Sequence, residues 1–219
     1  GLSALEGVGG FVLIAENNNL LDLSGLDSLE TIGSGDEFGM EWLSIGSNAS
    51  LMSLNGLDNL KEVSSSVSIC ANPNLTNLDG LNRLESVGWD LFIAENESLL
   101  EIDSIISINE IGGYVQLTNN DALIQIDGLN NSFIWQGIYI EDNDALENVN
   151  GLSHLTGMGE DIWIKNNAAL MNIDGLANLT WIGENLVIEN NPSLCQSLVE
   201  NYVSTVTVDS YNYYFCCND

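Results

Sequence analysis

The chain carries one histidine, His154, so any Ser-His-Asp machinery would have to be built on it. It lies between Leu152 and Leu155 with no nucleophile motif beside it, which reads as an exposed loop residue. Carboxylates are the abundant reactive group: 32 Asp and Glu stand against three basic residues, Lys61, Arg83 and Lys165. Two carboxylates about 5 to 10 Å apart would suit glycoside hydrolysis, and composition alone leaves that chemistry open. The stretch EDNDALE, Glu141 to Glu147, has a calcium-like look. Only Glu141, Asp142 and Asp144 would face water there, because Asn143 belongs to a structural row, so the cation signal is weak. No metal, no cofactor and no catalytic residue is assigned, and the chain is read as something other than an enzyme.

Four cysteines without any CxxC spacing fit an oxidising compartment better than a metal site. Cys195 is placed to pair with one of the terminal residues Cys216 and Cys217. Cys70 stands too far along the chain from Cys195 to meet it. With one pair formed, Cys70 and the remaining terminal cysteine are either free, the simpler reading, or joined to another chain.

The frame that positions these groups is a repeat. Asparagine recurs at 17, 48, 72, 96, 120, 143, 167 and 191, in steps of 31, 24, 24, 24, 23, 24 and 24. Gly-Leu runs in phase with it, from Gly25-Leu26 to Gly175-Leu176 with Ser104-Ile105 in one turn, and such self-similarity marks a solenoid. Each turn opens with an apolar-x-apolar pair, such as Val67/Ile69 or Ile162/Ile164, rich in β-branched residues, which predicts a short strand with one buried face. Asn17, Asn48, Asn72, Asn96, Asn120, Asn143, Asn167 and Asn191 follow three residues after each pair. Their amides are expected to turn inward as a ladder that satisfies backbone groups of neighbouring turns. Asp there would bring a buried charge.

The strand, the Asn and the spaced leucines form a leucine-rich-repeat pattern. Phrases such as NPNLTNLDGLNRLESVG and IENNPSL resemble receptor L domains, and more closely the receptor-L-domain-like arrays of secreted bacterial proteins. The resemblance covers nearly the whole chain. It implies a mainly β, right-handed parallel β-solenoid of about eight 24-residue turns. It also implies a place outside the cell or on its surface, and a role in binding or surface structure. No ligand motif of the family is matched.

The array spans 1–192 and begins in mid-turn, with Gly1 to Gly9 aligning with Gly25 to Gly33, so an uncapped end is expected. Residues 193–219 read as a C-terminal cap: a short helix with Ser193 as its N-cap, a last strand at Val206-Thr207-Val208, then a cysteine-bearing aromatic tail. The formal charge of −29 argues against partners that are nucleic acids or anionic membranes, and suits salty water or association with cations. No apolar run approaches the roughly 20 residues of a membrane span, so no insertion is expected. Of five N-x-S/T sequons, Asn48 and Asn96 are ladder positions and poor acceptors, leaving Asn74, Asn130 and Asn178.

The outward strand positions place Phe92, Tyr114, Tyr139 and Trp163 on four successive strands of one face, with Trp42 further along. An exposed aromatic stripe on a rigid sheet is a candidate surface for a protein or glycan partner; the alternative is rings packing across strands to stiffen the sheet. The long step from Asn17 to Asn48 holds a glycine-rich insertion, Gly33 to Glu41, with Phe38 and Met40 as its apolar residues. It reads as a tolerated surface loop. The functional expectation is therefore an extracellular binding or adhesion protein. The alternative is a structural subunit of an extracellular filament or layer that associates with itself.

Overall fold

The computed structural model describes residues 1–33 and 41–209, together with the backbone of 213–214. The chain winds as a parallel β-solenoid of about eight turns of roughly 24 residues. One large sheet stacks nine strands in chain order: Val12–Ala15, Leu43–Gly46, Val67–Cys70, Leu91–Ala94, Val115–Thr118, Ile138–Glu141, Ile162–Lys165, Leu186–Glu189 and Tyr213–Tyr214. Equivalent residues sit in register, so that Val115 pairs with Leu91 on one side and Ile138 on the other. The inward apolar pair of each turn disappears into the interior: from Leu43 and Ile45 to Leu186 and Ile188 these residues are at most 1% exposed.

A second side of the coil carries strands of two residues, in sheets of six (Gly7–Val8 to Phe133–Ile134) and three (Gly157–Met158, Trp181–Ile182, Thr207–Val208). The third side is an arc of turns, tightened in the later coils into 3-10 helices such as Asp127–Leu129 and Asp174–Leu176. The arc's leucines and isoleucines fill the interior between the two sheet sides, which makes one continuous apolar core.

The ladder forms. Asn120 donates from its backbone N–H to Asn143 Oδ1 (3.1 Å) and from Nδ2 to the Ile93 carbonyl (2.9 Å), while its own Oδ1 accepts from Asn96 N (3.2 Å). Asn48, Asn72, Asn96, Asn120, Asn143, Asn167 and Asn191 are all 0% exposed. Asn17 departs from the expectation of burial. It lies in the first coil, where no earlier coil covers it, and is exposed although it still donates to Asn48 Oδ1 at 3.0 Å. The residue before each ladder Asn takes φ of 53 to 60° without being glycine, which turns the chain sharply out of the strand.

The C-terminal cap differs in detail from its sequence reading. The helix runs Gln196–Val203 with Cys195, not Ser193, at its N-cap position, because the repeat continues one step longer: Leu194 is still an inward core residue at 1% exposure. Ser193 instead donates its hydroxyl to the Ala168 carbonyl at 2.7 Å. Thr207–Val208 does form a strand, but it joins the side of two-residue strands, and Tyr213–Tyr214 extends the large sheet by pairing with Leu186-Val187. The insertion's Phe38 and Met40, like Cys216 and Cys217, lie outside the described residues.

Candidate functional site

The outward residues of the large sheet come together around Tyr139. Its ring centroid lies 5.4 Å from that of Tyr114 and 5.2 Å from that of Trp163, the latter edge-on at 76°. Gly137 makes room for this: a Cβ there would come within 3.0 Å of the Tyr114 ring. Phe92 occupies the same row on its own strand, but Gln116 stands between it and Tyr139 in the register. Trp42 belongs to a separate pair at the other end of the sheet, stacked on Phe11 at 5.2 Å and 17°. The five candidate aromatics thus form a cluster of three, one neighbour and one distant member.

All five are half-buried rather than freely exposed. Strands about 4.8 Å apart carry rings wider than that interval, so each ring shelters the next. Part of the expected stripe therefore does the sheet-stiffening work that adjacent rings do across strands.

Carboxylates fix the ring edges. Tyr139 Oη donates to Asp161 Oδ2 at 3.0 Å, and Tyr114 Oη donates to Glu160. Asp161, 9% exposed, is held in turn by Asn185 through N (2.9 Å) and Nδ2 (2.7 Å). The phenol of Tyr114 is pushed above its ordinary pKa, first by its bond to the Glu160 carboxylate and then by burial. For Tyr139 burial leads and Asp161 follows. Both rings are therefore neutral hydroxyl donors across the ordinary pH range.

Lys165 supplies the cluster's one cation. Its Nζ lies 3.9 Å from the Trp163 ring centroid, 3.4 Å from Glu189 and 3.8 Å from Glu141. Burial raises the Glu141 pKa, partly offset by Lys165. The site is thus a packed aromatic surface bordered mostly by acids.

The other sequence candidates do not join it. His154 is half-buried instead of exposed: its Nε2 lies 2.6 Å from the Ser132 carbonyl oxygen, which draws the ring against the preceding coil. Asp142 accepts from Asn166 Nδ2 at 2.8 Å, Glu141 faces Lys165, and Asp144 is exposed, so the three acids of EDNDALE do not converge. No group of three His, Cys, Asp or Glu side chains among the described residues has a metal-holding arrangement. Cys70 is a half-buried thiol 3.2 Å from Ser68 Oγ, with its pKa raised by burial, and Cys195 is an exposed thiol 3.0 Å from Ser197 Oγ.

The most exposed tryptophans are not on the large sheet at all. Trp89, Trp135 and Trp181 are 52%, 55% and 41% exposed, and Phe133 is 56% exposed, all on or beside the two-residue strands. Following only the outward positions of the long strands passes them by. Aligning the coils at that corner would have found one of them: the column reads Gly88, Gly112, Trp135, Gly159, Gly183, a tryptophan in a glycine position.

No family model, curated protein or solved structure matches this chain.

Proposed function

We propose that the protein is a non-enzymatic extracellular or cell-surface binding or adhesion protein, a leucine-rich-repeat solenoid of the receptor-L-domain-like kind. Its large-sheet face meets a protein or a glycan on a surface. The observation that carries this reading is the run Tyr114–Tyr139–Trp163, centroids 5.4 and 5.2 Å apart, on a register-locked parallel sheet. Rings already held in place lose little freedom on binding, which is how aromatic anchors come to dominate interfaces. Glycan-array and cell-surface binding screens identify the partner. In whichever assay gives a signal, the double substitution Tyr139→Ser/Trp163→Ser is expected to cut binding on the order of 100-fold with the far-UV circular dichroism unchanged. Undiminished adhesion by the double variant would remove this face from consideration.

A further inference from the structure

Trp135 breaks the local rule of its own array. At the corner after the two-residue strand, the flanking coils carry glycine because the backbone of the preceding coil comes close. A Cβ on Gly112 would lie 2.2 Å from the Gly88 carbonyl oxygen, and one on Gly183 would lie 2.0 Å from that of Gly159. One coil places a large indole at that position and leaves it 55% exposed. Departures of this kind from a local rule concentrate at functional positions.

The exposed rings also fall at a regular interval. The coil of Ser86–Val87 carries Trp89, the coil of Phe133–Ile134 carries Phe133 and Trp135, and the coil of Trp181–Ile182 carries Trp181. Glu110–Ile111 and Gly157–Met158 are the coils between them. Aromatics therefore recur on every second coil, roughly 10 Å apart along the axis over roughly 20 Å; Phe133 and Trp181 share one column, while Trp135 and Trp89 lie two and three residues beyond it on their own coils. Two indoles are fixed through their edges: Trp135 Nε1 donates to Glu110 Oε1 at 2.7 Å and Trp181 Nε1 to Asp209 Oδ2 at 2.9 Å. The Trp181 ring is backed by glycine, 3.3 Å from where a Cβ on Gly157 or Gly183 would sit, and its other side faces water. Phe133 stands edge-on to Trp135 at 5.0 Å.

We infer that this row is a binding track for an extended, uncharged β-1,4-linked polysaccharide. The ligand must offer flat C–H faces to the rings and hydroxyls beside them, since Glu110 and Asp209 each have a second carboxylate oxygen that accepts no hydrogen bond among the described residues. It must present equivalent faces about every 10 Å, the reach of two hexose rings in an extended chain. It must not be anionic, given the −29 charge and the acids on the track itself. The track lies on a different side of the coil from the Tyr139 cluster and stands independently of the function proposed for that face.

Titration calorimetry with cellohexaose and chitohexaose, beside their disaccharides, tests the inference. Hexasaccharide of at least one series should bind more tightly than its disaccharide, because only the longer chain reaches rings two and four coils apart. Trp135→Ala and Trp181→Ala should each weaken it by about 2- to 10-fold. Trp135→Tyr should restore part of the loss. Circular dichroism and melting temperature confirm that each variant is folded. Three results would overturn the track: neither hexasaccharide binding the unaltered protein, binding indifferent to Trp135 and Trp181, or polygalacturonate binding as well as the neutral chains.

Discussion

Asn120→Leu should lower the unfolding free energy by about 2 to 6 kcal/mol. Leucine is close to asparagine in size and is welcome in this interior, so the loss comes from the polar groups left behind. The Ile93 carbonyl loses the Nδ2 donor at 2.9 Å, and the Asn96 N–H loses the Oδ1 acceptor at 3.2 Å. Both are sealed from water, and an orphaned buried group costs roughly 1 to 3 kcal/mol. Asn18, one residue beyond the ladder in the first coil, is exposed, and Asn18→Leu should leave stability within about 0.5 kcal/mol. Thermal or urea unfolding of the pair checks the difference. Coincident melting curves would mean that the ladder bonds contribute nothing net.

Gly175→Ala should be at least as damaging, at roughly 3 kcal/mol or more. A Cβ at Gly175 would sit 1.8 Å from the Val149 carbonyl oxygen and 2.5 Å from its carbon, both rigid backbone of the preceding coil. No rotamer relieves that contact, so the two coils must separate locally and strain the register of the arc. Gly9→Ala is the matched control, since nothing lies within 4 Å of its Cβ position, and it should be neutral or slightly stabilising. Equal melting temperatures for the two alanine variants would refute the close approach.

The coil was legible because three signals repeat in phase: the inward pair, the Asn and the Gly-Leu step. The two-residue strands were harder to see, being too short to show alternation. Ser193 looked like a helix cap because its residue type suits one, yet Leu194 obeys the older repeat and delays the helix to Gln196. Alternation correctly sent Tyr139 and Trp163 outward but was silent on whether neighbours cover them. Exposure depends on ring width against strand spacing, which no single strand encodes. His154 was misjudged for a similar reason, since its acceptor, the Ser132 carbonyl, belongs to the coil before it.

Tyr114 and Glu160 are 46 residues apart, and their bond skips a coil, whereas the other side-chain bonds between coils of described residues join immediate neighbours. Under tension applied at its two ends, a solenoid of this kind peels from whichever end is loosest, each released coil lengthening the tether by about 80 Å. A strut across two coils changes that sequence. The coils carrying Val115, Ile138 and Ile162 are tied to one another by this bond in addition to their backbone ladders. The aromatic cluster of Tyr114, Tyr139 and Trp163 lies within those coils and comes apart only with them.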